Sequence, residues 1–277
     1  MDICDFNYYN LMSVLPLRLS RGKGSKETQL SLLRSYVNWC IENSIKQNNE
    51  NPIQNIRVSD VDSSALIRRQ FIKNPDHLQE VLDNVLESAL ENTSNGIMYR
   101  MVCWLLYEGL TEEETMGLTK NDVDFSNSSV KTPDGSKTII ISDRLKDLIV
   151  RAIELEFAER PNNHGGVSQL PLEKSDKLFR KIYRKDSTNS AAYLRAKLSE
   201  LKKEFVRNTY ENTSLAPKRL WLSGMFYRLH QMEIMGVSLT DDNFRFCVNE
   251  DMLEDSIKMK VLYNKRDYQN WKKAYHL

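Results

Sequence analysis

The chain has 277 residues, a net charge of +1 and 40% hydrophobic residues, a composition typical of a globular protein with a buried core rather than a disordered one. No apolar run is long enough to span a bilayer. The N-terminal residues MDICDFNYYN lack the basic region of a signal peptide. We therefore expect neither membrane insertion nor secretion, and the sequence predicts a cytosolic protein.

Cysteines and histidines are too scattered to form a metal site. No CxxC pair occurs, and no histidine has the spacing of a zinc ligand. We therefore predict free, buried thiols in a reducing compartment, no metal and no cofactor. The residues concerned are Cys4, Cys40, Cys103, Cys247, His77, His164, His230 and His276.

Charge is distributed unevenly along the chain. Residues 174–219 contain 13 Lys and Arg against 5 Asp and Glu, a net charge of +8. Residues 80–124 contain 2 basic and 10 acidic residues, a net charge of −8. Such asymmetry indicates one face suited to a polyanion, although charged runs are often simply solvated helix faces.

In chain order, the first predicted element is a basic, glycine-containing loop at residues 17–26. A helix follows at residues 25–43, where Leu30, Leu33 and Val37 repeat at helical spacing. After a polar turn, a short helix near residue 65 is predicted, with Asp60 as its cap. The sequence predicts a domain boundary between residues 73 and 74, and hence domains at 1–73 and 74–277.

The second domain is predicted to be built around one buried helix. Residues 75–92 form an amphipathic helix, and residues 97–107 are apolar nearly all round, as in a core helix. Gly109 ends that helix. Residues 111–118 form a short helix with acids in its first turn, where they complement the helix dipole.

Extended segments come next, followed by further helices. SVKTPDGSKTIIIS has a Pro-Asp-Gly turn between two strand patterns and predicts a β-hairpin. Ser142 caps a predicted helix at residues 143–160, and residues 161–171 form a loop. Residues 189–210 form a long basic helix, another helix ends at Gly236, and the rest of the chain is helical.

The segment YEGLTEEETMGLTKNDVD, residues 107–124, resembles the tyrosine recombinase, or phage integrase, family. In that family a Gly-Leu pair precedes an arginine that holds the scissile phosphate, and Asp-Val-Asp leads into a strand. Thr111 stands where that arginine is expected. The matching positions are Gly109, Leu110, Glu114, Leu118, Asp122, Val123 and Asp124.

The resemblance extends to the hairpin, where Lys131 or Lys137 lies near the place of a family lysine. It implies a mainly α fold with a small β-sheet, in which a small N-terminal helical core-binding-like domain precedes a larger catalytic-like domain. Counting back from Gly236 puts Leu222 and Met225 at the family's His-x-x-Arg positions. Tyr263 is the nearest candidate for the nucleophilic tyrosine.

These replacements decide the expected chemistry. Phosphodiester transfer needs fixed guanidinium donors that stabilise charge developing on the phosphate. Thr111 offers one neutral hydroxyl and Met225 offers no donor, and losing a single such donor costs about 10²–10³ in rate. We therefore expect no enzymatic activity.

What the resemblance leaves is a DNA-binding scaffold. Most basic side chains would contact phosphates, and a helix at residues 189–210 is suited to the major groove. The acidic segment 108–114 is expected to face away from the DNA. The predicted DNA contacts are Arg180, Lys181, Arg184, Lys185, Arg195, Lys197, Ser199, Lys202, Lys203, Lys218 and Arg219, with Arg21, Lys23, Lys26 and Arg34 in the first domain.

The chain thus resembles integrase-like repressors that maintain lysogeny in temperate phages, such as those of SPβ-like Bacillus prophages. This implies a protein of the bacterial cytosol that binds double-stranded DNA and has a small protein or peptide antirepressor as a candidate partner. Two alternatives stay open: an active recombinase with displaced catalytic residues, and a protein-interaction module that accompanies a recombinase. Neither the operator nor the oligomeric state follows from the sequence.

Overall fold

The structure, a computed structural model, describes residues 6–18, 23–46, 49–62, 64–86, 94–161, 167–180, 191–196, 198–199, 214–246 and 252–277. The chain divides into two compact units. Unit 1 consists of Met1–Arg69 with Lys265–Leu277, and unit 2 consists of Gln70–Asn264. The division at Arg69 lies close to the expected one at residue 73, whereas residues 265–277, expected in the second domain, group with unit 1.

Unit 1 is helical. Helix α1 covers Tyr8–Arg18, α2 covers Lys23–Glu42, a 3₁₀ turn covers Val58–Asp60 and α3 covers Ser64–Arg68. The predicted basic loop at residues 17–26 is wrong over most of its length, because α1 continues to Arg18 and α2 begins at Lys23. The buried core of this unit contains Leu11, Leu15, Leu30, Val37, Ile53, Ile56 and Val61.

The C-terminal residues complete unit 1. Tyr268 and Trp271 are fully buried and stacked, with ring centroids 5.9 Å apart. Arg68 Nη1 donates to the carbonyl of Ala274 at 3.3 Å, and the Tyr275 hydroxyl donates to the carbonyl of Arg68 at 3.3 Å. Both ends of the sequence therefore contribute to one unit.

Unit 2 is built on a buried helix, as predicted. Helix α4 covers Pro75–Leu86 and α5 covers Ser94–Tyr107. From Ile97 to Tyr107 every residue of α5 except Tyr99 is buried. Arg100 is buried as well, and its guanidinium forms an ion pair with Asp83 of α4.

A short helix and a small sheet follow. Helix α6 covers Glu112–Gly117, and the strands are β1 at Val123–Asp124, β2 at Ser129–Lys131 and β3 at Thr138–Ile140. The three strands form one antiparallel sheet in the order β1-β2-β3. Val130 pairs with Val123 on one side and with Ile139 on the other. The predicted hairpin is therefore confirmed.

The next segment differs from the prediction. Ser142 caps α7 as expected, accepting a hydrogen bond from the Leu145 N–H at 3.3 Å, but α7 covers only Asp143–Glu154. Residues predicted as the end of that helix form β4 at Phe157–Pro161, which pairs antiparallel with β5 at Val167–Pro171. The predicted loop at residues 161–171 is thus partly a strand.

Two long helices close the described chain. Helix α8 covers Pro217–Ile234, with Gly236 following in the left-handed region, and α9 covers Glu254–Tyr275. Of the predicted basic helix, residues 191–196 and 198–199 are helical. The predicted mainly helical fold with small antiparallel sheets is confirmed. Within the described ranges, none of the helices has the length and apolarity needed to cross a membrane.

Candidate functional site

Three side chains converge on the turn that ends α5, residues 107–110, here called the α5 turn. Gly109 has a φ of 107°, a conformation that side chains other than glycine rarely adopt. Its carbonyl accepts hydrogen bonds from Trp221 Nε1 at 2.9 Å and from Lys137 Nζ. Arg228 Nη1 donates to the Tyr107 carbonyl at 3.0 Å. Cations at a helix C-terminus satisfy its free carbonyls and complement its dipole.

Arg228 is also paired with an acid in the same turn. Its Nη1 lies 3.7 Å from Glu108 Oε2. Burial raises the pKa of Glu108, and the charge of Arg228 opposes that rise. Burial lowers the pKa of Arg228 in turn, with Glu108 opposing. The guanidinium is therefore held against the protein by a carbonyl and a carboxylate.

Thr111 begins the next helix. Its hydroxyl accepts a hydrogen bond from the Glu114 N–H at 3.2 Å, and the Glu114 carboxylate accepts one from the Thr111 N–H at 2.6 Å. This reciprocal capping box satisfies two backbone donors at the start of α6. The residue that stands in place of the family's arginine thus has a structural role.

Helix α8 presents apolar or backbone-bound groups near the α5 turn. Leu222 is buried, Met225 is partly buried, and neither can bind a phosphate. A Cβ on Gly224 would lie 1.7 Å from the Tyr107 carbonyl oxygen, so α5 and α8 touch through backbone at this point. Tyr263 lies on α9 with 45% of its surface exposed.

The structure distinguishes the two hairpin lysines. Lys137 reaches the α5 turn, whereas Lys131 extends along its own hairpin, with Cε 3.2 Å from where a Cβ of Gly135 would stand. The roles of Trp221 and Arg228 were not predicted from the sequence. Their signal was the spacing of residues 221, 224 and 228, which puts them on one helix face.

Two predicted DNA-contact residues of unit 2 interact with the protein itself. Arg195 forms ion pairs with Glu112 and with Glu113, the latter at 3.6 Å. Arg180 Nη2 donates to the carbonyls of Ala152, Ile153 and Leu155 at 2.8, 3.1 and 2.5 Å, which caps the end of α7. The acidic segment 108–114 therefore lies against a predicted DNA contact.

The remaining described residues of unit 2 that were predicted to contact DNA are Arg219, Lys218 and Ser199. The Arg219 guanidinium lies over the Phe71 ring, 5.1 Å from its centroid. Lys218 and Ser199 are exposed. Lys218 is the second residue of α8 and lies at the positive end of that helix.

In unit 1 the two described side chains have structural roles. Lys26 is only 6% exposed, and burial lowers its pKa. Arg34 donates to the carbonyls of Ile53 and Ile56 at 3.2 and 2.6 Å. Lys23 begins α2. The predicted DNA contacts outside the described residues are Arg21, Lys181, Arg184, Lys185, Lys197, Lys202 and Lys203.

No group of three or more His, Cys, Asp or Glu residues with metal-binding geometry occurs among the described residues. Cys40 and Cys103 are free and buried, and burial raises the pKa of the Cys103 thiol to about 12. These thiols are packing residues rather than nucleophiles.

Comparison with known proteins gives one family. The family model described as "MrpR, C-terminal catalytic domain" matches residues 79–270. No curated protein shows significant similarity. The solved Tn1549 transposon integrase in complex with circular intermediate DNA shares 15% identity at a TM-score of 0.42, over 94% of this chain and 86% of that one. A variant of it in complex with transposon right end DNA shares 14% identity at a TM-score of 0.43, over 95% and 82% of the two chains. The family model spans more than half of the chain, whereas the two structures are too distant to support an argument.

Proposed function

Because the chain belongs to the MrpR C-terminal catalytic domain family, we propose that it binds double-stranded DNA sequence-specifically and represses transcription, on an integrase-like scaffold that no longer cuts DNA. In its biological setting it would be a phage or prophage repressor that maintains lysogeny in the bacterial cytosol. Repression requires occupancy of an operator and no covalent step, so it tolerates the loss of catalytic groups.

The observation that carries this proposal is the α5 turn. Thr111 caps α6 through the reciprocal hydrogen bonds with Glu114. Lys137 and Arg228 donate to backbone carbonyls of the turn. Transition-state stabilisation requires donors aimed at the phosphate and free to bind it. Here the hydrogen bonds of Thr111, Lys137 and Arg228 are made to the protein itself, and they stabilise the fold.

DNA affinity would come from charge. Arg195 and Lys218 are the described basic candidates with exposed side chains, and residues 174–219 carry a net charge of +8. Lys218 also lies at the N-terminus of α8, where backbone N–H groups and the helix dipole favour a phosphate. Contacts of this kind fix position and affinity, and base contacts would supply specificity.

The first test combines a genome-wide footprint with a suicide substrate made from the best site. We expect a compact operator near promoters, a shifted complex in a gel assay and no covalent protein–DNA adduct. An adduct that Tyr263→Phe abolishes would contradict the proposal and favour an active recombinase with displaced groups.

The second test separates DNA binding from a protein-interaction role. Operator affinity should fall steeply as salt rises, and Lys218→Gln should weaken binding and reduce the salt dependence by about one counterion. Arg151→Gln is the matched control, because Arg151 is exposed on α7 outside the proposed interface. Binding that tolerates salt and ignores Lys218→Gln would favour the interaction module.

A repressor also requires a release signal. We propose a small protein or peptide antirepressor as that partner. Adding a candidate to the gel assay should dissociate the complex without proteolysis. A candidate that leaves operator affinity unchanged would be excluded as the release signal.

A further inference from the structure

Unit 1 contains a cavity that none of the roles above uses. It is a half-open pocket, here called the cavity, with a volume of about 350 Å³, and it lies between α2 and the 3₁₀ turn at Val58–Asp60. This volume is at the lower end of the range for small-molecule sites. The residues that line it are Glu27, Leu30, Arg34, Arg57, Val58 and Ser59.

Arg34 is held in a fixed position in the cavity wall. Its Nε and Nη2 donate to the carbonyls of Ile53 and Ile56. Asn51 Nδ2 donates to the Arg34 carbonyl at 3.0 Å, which ties the same loop to α2. Within the described residues, no carboxylate forms an ion pair with Arg34. A guanidinium oriented this way loses little side-chain entropy when it binds an anion.

Arg57 supplies a second guanidinium. Its backbone N–H donates to Asp60 Oδ2 at 2.8 Å, and the Ser59 hydroxyl donates to Asp60 Oδ1 at 3.2 Å. These bonds shape the turn and involve only the backbone of Arg57. Its side chain is exposed, and it has no ion pair in the part of the chain that the structure describes.

The other lining residues complete the chemistry of the cavity. Leu30 is fully buried beneath the cavity, so of the two apolar residues only the partly exposed Val58 offers contact to a ligand. Glu27 is the only acid in the lining, so two guanidiniums face one carboxylate. A net positive cavity with an apolar side favours an organic anion, and guanidinium groups bind carboxylate or phosphate through paired hydrogen bonds.

We propose that this cavity binds a small organic anion. Arg34 and Arg57 hold its carboxylate or phosphate, Val58 contacts its body, and Glu27 accepts a hydrogen bond from a donor group on it. This inference does not rest on the proposed DNA-binding function, because its observations lie outside the α5 turn. Arg34 is also one of the predicted DNA contacts, so the test below includes duplex DNA.

The test uses the full chain in phosphate-free buffer, with three probes titrated by calorimetry: inorganic phosphate, succinate and adenosine monophosphate. We expect at least one to bind with a submillimolar dissociation constant. Binding of succinate alone would assign a carboxylate ligand, and binding of adenosine monophosphate or phosphate would assign a phosphate ligand.

Variants link the binding to the cavity. Arg57→Gln should weaken the bound probe about tenfold or more, since a charged hydrogen bond is lost. Glu27→Gln should tighten inorganic phosphate, because it removes a repelling charge. Arg151→Gln, which makes the same charge change at an exposed position of α7 in unit 2, should have no effect.

Three results would overturn the inference. These are no binding of any probe, equal binding by wild type and Arg57→Gln, and a loss of duplex DNA affinity in Arg57→Gln without any probe binding. The last result would assign the cavity to the DNA surface. Arg57 is the first choice because Arg34 also supports the fold through two carbonyls.

Discussion

Thr111 illustrates how a single position exchanges a chemical role for a structural one. The family that the sequence resembles has an arginine here, and an arginine has no hydroxyl to accept from the Glu114 N–H. In this chain the hydroxyl is the cap of α6, and Glu114 completes the reciprocal bond. Restoring an arginine at this position would therefore remove a cap while Met225 and Leu222 remain without donors.

The capping role predicts the cost of losing the hydroxyl. Thr111→Ala should lower the free energy of unfolding by about 1 kcal/mol, because one backbone donor at the start of α6 loses its partner. Thr111→Ser should retain most of the stability. Urea unfolding followed by circular dichroism measures both. Equal stability of the alanine variant and wild type would contradict the role of the cap.

Glu108 and Arg228 predict a pH dependence. Burial raises the pKa of Glu108 above its ordinary value, so the favourable contribution of its protonated form is present at low pH and lost as pH rises through the raised pKa. Arg228→Met removes the opposing cation, which should raise this pKa further. The variant should therefore lose more stability than wild type as the pH rises from the ordinary pKa of glutamic acid, about 4.3, through the raised pKa of Glu108.

The control for this prediction is Glu108→Gln combined with Arg228→Met. The double variant also lacks the guanidinium, but it has no titrating acid at position 108. The additional pH dependence of the Arg228→Met variant should therefore disappear. Unfolding measured in urea across the pH range gives the comparison. A pH dependence that persists in the double variant would assign it to another group.

At the scale of elements, the contact between α5 and α8 determines where the α5 turn lies. Gly224 allows the backbone of α8 to approach the Tyr107 carbonyl, with no room for a Cβ. The close approach in turn lets Trp221 and Arg228 reach the turn from the same helix face. The geometry of the site thus depends on one glycine.

Gly224→Ala should therefore destabilise the protein by about 3 kcal/mol or more, since the two helices must separate to accept a methyl group. Gly24→Ala is the matched control. Gly24 lies in α2, where an added Cβ meets nothing within 4 Å. That variant should be neutral or more stable by up to about 1 kcal/mol. Thermal unfolding of both proteins measures the difference, and similar melting temperatures would contradict the packing argument.

The elements that the sequence predicted correctly are those with a strong period or a clear cap. Residues 97–107 are apolar nearly all round and form the buried α5, and Ser142 caps α7. The hairpin of β4 and β5 was missed because residues 155–160 contain Glu, Ala and Arg, which favour a helix. Pairing with residues 167–171 overrides that preference, and pairing partners leave no local signal.

The α5 turn was predicted only in part, for a related reason. The match at Gly109 and Leu110 located the turn and marked Thr111 as its replaced residue. Lys137 was one of two candidate lysines, and the spacing of residues 221, 224 and 228 indicated one helix face. The contacts of Lys137 and Arg228 could not be predicted, because their partners are backbone carbonyls that any residue supplies. Lys26 and Arg34 likewise resembled surface charges, but Lys26 is buried and Arg34 donates to a backbone carbonyl.

At the scale of the whole molecule, the acidic segment 80–124 and the basic segment 174–219 form ion pairs with each other. Arg195 from the basic segment pairs with Glu112 and Glu113. Lys120 from the acidic segment forms an ion pair with Asp176 at 2.7 Å. The two oppositely charged segments thus form ion pairs with each other, and DNA would compete with carboxylates for Arg195.

This competition predicts a gain in DNA affinity when the acids are neutralised. Glu112→Gln with Glu113→Gln should strengthen operator binding a few-fold at low salt, because exposed ion pairs are weak and a phosphate then meets an unpaired Arg195. Gel titration measures the affinity. Adding Arg195→Gln to the double variant should abolish the gain, and a gain that persists would reflect net charge alone.

Unit 1 is formed by Met1–Arg69 together with Lys265–Leu277, and this arrangement has a consequence for folding during synthesis on the ribosome. Tyr268 and Trp271 belong to its core, and Arg68 bonds to Ala274 and Tyr275. The part of unit 1 before Gln70 therefore cannot complete its core until residues 265–277 have left the exit tunnel. All residues of unit 2 precede Lys265, so unit 2 can fold during synthesis before unit 1 is complete.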